Sequence, residues 1–272
     1  MKEKSLNLTY GLIDGKVTHI SKVESGLDCG CFCPACGDRL IAKKGDVVRH
    51  HFAHQSNKPC ESGVESALHL AAKEIIASAG KMTIPEVRLR FPYSYKPDIL
   101  IHESMEIKID HVELEKRLDN IIPDVVVYSG GKRLFIEIFV THAIDERKLQ
   151  KIRNLNVSTI EIDLSKYEKF ADEQELVRII LEDDPRKKWK YNAVEAKTLQ
   201  RYKMDAKKML VVSRGMAKHI EKCPLQKRAW NGKVYANALD DCLSCDRLIE
   251  WKEMSDYILC MGRYQKSIGC RE

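Results

Sequence analysis

The sequence predicts an α/β protein: a core of mixed sheet and helices between two small zinc-binding modules. Three observations point there. Two apolar strand-like runs, residues 122–128 (Ile-Pro-Asp-Val-Val-Val-Tyr) and 133–141 (Arg-Leu-Phe-Ile-Glu-Ile-Phe-Val-Thr), flank Ser129-Gly130-Gly131-Lys132, and a helical stretch and another strand follow. Cysteine clusters, each containing Cys-x-x-Cys, stand toward both ends of the chain. The 272 residues, 44% hydrophobic and 32% charged, suffice to bury a substantial core and are ordinary for a soluble globular protein.

The elements run as follows. Residues 6–62 read as short strands and turns around a Cys/His cluster. From 63 to 79, Leu68, Ala71, Ala72, Ile75 and Ile76 recur at helical spacing, and Gly80 is a plausible stop. Residues 84–141 are β-rich. A helix is expected over 144–154, a strand over 159–164 and a helix over 173–181. A basic, largely helical segment and the second cysteine cluster end the chain, with a hairpin at Trp230-Asn-Gly-Lys-Val-Tyr235. The expected division is a β-rich zinc-finger module (1–62), a core (63–184), and a basic helical segment with a zinc ribbon (185–272).

The central hairpin permits a geometric argument. If Gly130-Gly131 is a two-residue turn, Ser129 faces Lys132, and the same register sets Asp124 opposite Glu137. Facing side chains of an antiparallel pair have Cβ atoms ~4.5–5.5 Å apart. Two carboxylates that close repel unless a positive group lies between them. A divalent cation such as Mg²⁺, which prefers hard oxygen ligands and often uses one or two carboxylates, is the natural occupant. Alternation puts Leu134, Ile136, Ile138 and Val140 on one face of the second strand and Phe135, Glu137 and Phe139 on the other. An acid in so apolar a strand is a metal ligand or the partner of a nearby Lys or Arg.

The first cysteine cluster is Cys29-Gly-Cys31-Phe-Cys33-Pro-Ala-Cys36, followed by His50-His51-Phe-Ala-His54 and Cys60. Zinc takes four tetrahedral N/S ligands, and Cys-x-x-Cys presents two thiolates from one turn. The first choice is Cys33, Cys36, His51 and His54. Cys60 can replace one histidine, and Cys29 or Cys31 can compete. The second cluster, Cys223, Cys242-Leu-Ser-Cys245 and Cys260, reads as a zinc ribbon, with Cys270 the rival for its fourth place. Both zincs are expected to be structural, because four protein ligands leave no position for water.

Asp124 after Pro123, a hairpin, Glu137, a helix and a strand resemble the core of the PD-(D/E)xK nucleases, the restriction-endonuclease-like fold of order αβββαβ with a mixed sheet. The helix bearing Glu65, His69 and Lys73 at i, i+4 and i+8 takes the first position. The Cys-x-x-Cys with His-Phe-Ala-His, then Glu65-Ser-x-x-x-His69, then Glu137-Ile-Phe-Val-Thr-His-Ala-Ile-Asp-Glu-Arg-Lys148, resemble the competence protein CoiA-like family over about residues 31–165. The resemblance implies a metal-dependent DNA endonuclease in DNA processing, recombination or antiviral defence. Asp124 and Glu137 would hold Mg²⁺ or Mn²⁺, and Glu65 would add a ligand directly or through water. The chain departs from the pattern at Phe139, where the catalytic lysine belongs; Lys148, or else Lys73, would supply that charge from a helix. A literal second string, Pro97-Asp98 followed by Glu106-Ile107-Lys108, lacks the glycine turn and the helix and strand that should follow.

Charge supports a polyphosphate partner. Residues 185–233 hold 15 Lys and Arg against Glu195, Asp205 and Glu221, within a chain of formal net charge +6; neutralising phosphates releases condensed counterions. DNA is the expected partner, with phosphates along Arg186 to Lys233, and further protein subunits of a defence or recombination system are possible partners. No apolar run approaches the ~20 residues a membrane span needs. Met1-Lys-Glu-Lys-Ser-Leu-Asn lacks an apolar signal core, so a cytoplasmic protein is expected. The competing reading, favoured by Phe139, is a catalytically inactive DNA-binding or adaptor subunit.

Overall fold

The computed structural model describes residues 7–58, 60, 62–91, 94–167, 172–252 and 255–262. The chain divides into two compact units: Met1–Pro85 with Ser104–Asn192, and Glu86–Glu103 with Ala193–Glu272. These cuts do not coincide with the expected boundaries after residues 62 and 184.

The first unit opens on two antiparallel hairpins, β1 (Tyr10–Ile13) with β2 (Lys16–His19), and β3 (Leu40–Lys43) with β4 (His51–His54). Asp14-Gly15, both at positive φ, make the tight turn of the first. Helix α1 (Gly63–Ser78) buries Ala67, Leu68, Ala71, Ala72 and Ile76 along one face. That face shares a single core with Leu8, Tyr10, Leu40 and Phe52 of the preceding segment and with Ile136, Ile138 and Ile160 of the central sheet. Residues before α1 therefore complete the core around the helix. They do not enclose an apolar core of their own.

Strand β5 (Lys81–Ile84) follows. The chain then leaves for the second unit, where β6 (Val87–Leu89) pairs with β7 (Ile99–His102), and returns with β8 (Met105–Lys108), which pairs with β5. The central sheet comes next: β9 (His111–Leu114), β10 (Val125–Ser129), β11 (Lys132–Phe139), helix α2 (Glu146–Leu155), β12 (Thr159–Asp163), helix α3 (Glu173–Leu181) and β13 (Lys187–Tyr191). The sheet order is β13-β12-β11-β10-β9. Strands β9, β10 and β11 are antiparallel neighbours, β12 runs parallel to β11, and β13 is antiparallel to β12. Apart from the β5–β8 insertion, the order is helix, three antiparallel strands, helix, parallel strand.

The hairpin register follows from its turn. Gly130 and Gly131 have φ of 52° and 73°, the conformation that suits a two-residue turn between twisted strands. Ser129 faces Lys132 and Val125 faces Ile136. The two faces of β11 enter different cores. Leu134, Ile136, Ile138 and Val140 join the α1 side, whereas Phe135 packs with Ile121, Val126, Val157 and Ile152 of α2.

In the second unit, helix α4 (Ala193–Asp205) precedes β14 (Lys207–Arg214), β15 (Ala217–Glu221), β16 (Arg228–Trp230), β17 (Lys233–Asn237), β18 (Leu248–Glu250) and β19 (Tyr257–Cys260). The six strands form one sheet, in the order β16-β17-β15-β14-β19-β18. The basic segment thus holds more strand than helix, which corrects the expectation of a largely helical stretch. Met209, Val211 and Ile220 point into one core, while Lys208, Leu210 and Val212 alternate with them. That period of two, with Gly215 at φ 63° in the turn after β14, decides for a hairpin. The expected hairpin at Trp230–Tyr235 is present, with Trp230 facing Lys233. Among the described residues no helix is long and apolar enough to cross a membrane.

Candidate active site and metal centre

One pocket of the first unit is lined by Glu65, His69, Asp124, Glu137, His142, Asp145, Lys148 and Glu161, among others. The four residues singled out in the sequence for catalysis, Glu65, Asp124, Glu137 and Lys148, are all in its wall. Asp124 immediately precedes β10, one residue beyond the last paired position. Its Oδ2 accepts the Ile138 amide at 2.8 Å, so the carboxylate takes the place of the next ladder bond and is pinned beside Glu137. His69 Nδ1 and Lys73 Nζ of α1 each lie 3.6 Å from Asp124 Oδ1, and Lys73 also holds Glu115 at 2.7 Å. The Glu65, His69, Lys73 stripe therefore faces the carboxylates. Burial pushes the Asp124 carboxyl up, but His69, the Ile138 amide and Lys73 together outweigh it and leave the acid below its ordinary range.

Glu137 is held differently. It is 6% exposed, and burial pushes its pKa up to about 7, with Asp124 and Glu161 adding to the rise and Lys148 opposing it. Lys148 reaches it from α2 because of the helix start: Asp145 caps α2 by accepting the Lys148 amide at 2.6 Å, and Lys148 Nζ then lies 2.5 Å from Glu137 Oε2. Glu137 Oε1 is buried with no hydrogen-bond partner. An unpartnered carboxylate oxygen beside a second carboxylate fits a hard divalent cation such as Mg²⁺ or Mn²⁺, which takes oxygen ligands.

Two lining residues escaped the sequence reading. Glu161 stands beside Glu137 in the parallel register; its carboxylate accepts the Ile144 amide at 2.9 Å and pairs with Lys190 at 2.7 Å. The signal was present, since Glu161, like Glu137, stands between two isoleucines of a strand. His142, 3.6 Å from Glu65, lies in the β11–α2 connection, where spacing carries no information. The charged residues of the rival string are each engaged in other ion pairs. Asp98 lies 3.6 Å from Arg90 in the second unit, while Glu106 pairs with Lys81 and Lys108 with Asp110 in the first.

Cys33, Cys36, His54 and Cys60 place one ligand atom each within 4.8 Å of one another. This Cys₃His cluster can hold a metal such as zinc. Tetrahedral Zn–S bonds of ~2.3 Å put two sulfurs ~3.8 Å apart, and Cys33 Sγ and Cys60 Sγ are 3.9 Å apart. His54 Nε2 is buried without a partner, as expected of a nitrogen reserved for an ion. Burial pushes the Cys33 thiol up to about 11, while the Asp38 backbone amide holds Cys36 below its ordinary value.

His51 lies outside this cluster, and Cys60 takes the place expected for it. His51 and His54 belong to strand β4, where successive side chains alternate, so positions three apart point to opposite faces. On a helix the same spacing would have brought them together. His51 Nδ1 instead lies 2.9 Å from the Arg49 carbonyl. Cys29 and Cys31 are buried thiols directed at the Leu40 and Cys29 carbonyls, outside the cluster. Gly63, the first residue of α1, leaves room for the site: a Cβ there would sit 3.2 Å from Cys60 Sγ and 3.4 Å from Cys33 Sγ. A metal held by this cluster would tie down the start of the helix that carries Glu65 and His69.

In the second unit Cys223, Cys242, Cys245 and Cys260 line one small cavity with Met209, Ile220, Leu248 and Ile258. Burial and the three neighbouring thiols push Cys242 up to about 12, and the Gly262 amide lies 3.4 Å from Cys260 Sγ. Cys270 lies outside the described residues. No curated protein and no solved structure matches the chain. Residues 18–63, which hold Cys33, Cys36, His54 and Cys60 and end on the first residue of α1, match the family model for the N-terminal domain of competence protein CoiA.

Proposed function

We propose that the protein is a cytoplasmic, metal-dependent DNA nuclease with a restriction-endonuclease-like core, acting in DNA processing, recombination or antiviral defence. The observation that carries this reading is the convergence of Asp124, Glu137, Lys148 and Glu65 on one pocket, at the edge of a helix–three-strand–helix–strand arrangement of the PD-(D/E)xK order. The similarity of residues 18–63 to the CoiA N-terminal domain supports a competence-related setting.

In this reading Asp124 and Glu137 hold Mg²⁺ or Mn²⁺, with Glu65 as a further ligand or the anchor of a bound water. Such an ion supplies an activated water and charge for the leaving oxygen of a phosphodiester. The chain's own residues do the rest. The Ile138 amide fixes Asp124, the Asp145 cap fixes the root of Lys148, and Lys148 Nζ brings a positive charge to the acid at which Phe139 offers none. The Cys₃His centre is structural and orients α1. The four cysteines of the second unit, which line one cavity, are the proposed second structural zinc site; among the described residues the one group that brings its ligand atoms within 4.8 Å of one another is Cys33, Cys36, His54 and Cys60. DNA is the partner, and the surplus of Lys and Arg over residues 185–233 is where its phosphates are expected.

A second reading is a catalytically inactive DNA-binding or adaptor subunit. Phe139 favours it, as does the contact of Lys148 with Glu137, which also satisfies the plain salt-bridge account of that acid. A cleavage assay on single- and double-stranded DNA with Mg²⁺ or Mn²⁺ separates the two. The nuclease reading expects cleavage by the zinc-loaded protein and none by Asp124→Ala. Absence of cleavage with either ion leaves the adaptor.

A further inference from the structure

The sheet of the second unit has two unlike faces. Met209, Val211, Ile220, Ala236 and Ile258 fill the core on one side. Strand register fixes what lies on the other. Val212 faces His219, Glu221 faces Tyr235, Trp230 faces Lys233 and Leu210 faces Tyr257, and paired residues share a face. Trp230 is 64% and Leu210 67% exposed. His219 and Tyr235 lie with ring centroids 4.9 Å apart at 32°, and Lys208 Nζ sits 4.0 Å from the Tyr257 ring centroid. Trp230 and Leu210 are open to solvent, His219, Tyr235 and Tyr257 are half-buried, and the β19 end of this face is covered where Leu259 packs with Leu89, Phe91 and Tyr202. The uncovered part carries rings with cations beside them.

On strands β14 to β17 cations outnumber acids, whereas β18 adds Glu250 to the same face, paired with Lys203. Residues 207–237 carry eight Lys and Arg against one acid, Glu221, which Arg214 neutralises at 2.7 Å. Arg228 is taken by Asp240 and Asp241. Among the described residues Lys208 and Lys233 have no carboxylate partner. Interleaved rings and unpaired cations match a polymer that offers flat apolar faces and regularly spaced phosphates. A duplex hides its base faces in its own stack and would use only the cations. An acidic peptide offers no such faces.

We propose that this outer face is a stacking platform for single-stranded DNA, with bases on Trp230, Tyr235 and His219 and phosphates on Lys208 and Lys233. The choice of DNA rests on the reading of the protein as acting on DNA; the preference for single strands rests on the sheet alone. Binding to this face needs no divalent cation.

The test is fluorescence anisotropy of labelled oligo(dT) with the full zinc-loaded chain and no added Mg²⁺, beside a duplex of equal length, oligo(rU) and polyglutamate as competitor. Oligo(dT) should bind at least about tenfold tighter than duplex, and Trp230→Ala should weaken it about tenfold, a typical loss for one base–aromatic stack. Trp230→Phe should keep most of the affinity yet lose the quenching of intrinsic fluorescence that oligo(dT) causes in wild type. Lys233→Ala should lower the salt slope of binding without changing the preference for single strands. Equal or tighter duplex binding, normal oligo(dT) affinity in folded Trp230→Ala, or displacement by polyglutamate overturns the platform, and tighter oligo(rU) binding overturns the assignment to DNA. A chain that binds oligo(dT) through Trp230 but never cleaves loses the nuclease reading alone; one that cleaves without this preference loses the platform alone.

Discussion

Residues 97–108 and 123–148 carry nearly the same letters: a Pro-Asp, a glutamate and a lysine within reach of it. In the first stretch Asp98 precedes β7, which pairs with β6, and Glu106 is on β8, which pairs with β5. Adjacent in sequence, the two strands pair with different partners, and each acid keeps a separate, half-exposed ion pair. In the second stretch the Gly130-Gly131 turn forces β10 onto β11, brings Asp124 beside Glu137, and lets α2 return Lys148 to the same spot. The difference teaches that a carboxylate site is made by pairing and burial. A string of suitable residues without a turn to fold it is two unrelated surface ion pairs.

The largest expected effect breaks or upholds that contrast directly. In a chain that cleaves DNA, Asp124→Ala should lower the rate about a thousandfold or more, the scale of losing an ion worth several kcal/mol to the transition state. Asp98→Ala should cleave as wild type does. A dead Asp98→Ala with an active Asp124→Ala would reverse the comparison.

Lys148→Ala comes next, with a loss of about a hundredfold and DNA affinity nearly unchanged. Its effect should not add to that of Asp124→Ala, because both groups serve one transition state. Normal cleavage by Lys148→Ala beside an inactive Asp124→Ala would transfer the role to Lys73, which is buried 3.6 Å from Asp124.

The Cys₃His cluster sharpens the comparison, since a metal there would hold the start of the helix whose His69 and Lys73 face Asp124. Purified protein should carry about two zinc ions per chain, one for each four-ligand set. His54→Ala or Cys60→Ser should remove one and speed hydrogen exchange in the first turn of α1, near Glu65. His51→Ala should keep both ions. Two ions retained in Cys60→Ser would remove that residue from the ligand set.

The smallest effect is one of pH. Burial raises Glu137 from 4.5 to about 7, so its contribution to metal-free stability is fully present below the unfolded value and is lost as pH rises through 7. Between pH 5 and pH 8 wild type should lose up to about 3 kcal/mol relative to Glu137→Gln, at ~1.4 kcal/mol per pH unit. Thermal melts at the two pH values read the difference. Equal pH dependence of wild type and Glu137→Gln would deny Glu137 its buried state.

Much of this site was legible because local rules governed it. A two-glycine turn sets strand register, alternation sets faces, and Asp145 caps the helix that begins at Glu146 and carries Lys148 in its first turn. Glu161 could have been found by the argument used for Glu137. His142 could not, because the β11–α2 connection has no period from which a direction can be read.

The sequence by itself determined the α/β alternation, the central hairpin and its register, the start and end of α1, and the Cys-x-x-Cys turn of the first metal centre. Each follows from interactions within a few residues or across one tight turn. Tertiary structure alone decided the rest. It chose Cys60 over His51, because a strand turns positions three apart to opposite faces. It made strands of much of the basic segment, because Met209, Val211 and Ile220 gain burial only when β14 and β15 pair. It also drew the residues before α1 into the same core as the central sheet, since hairpins of four-residue strands bury too little apolar surface to stand alone.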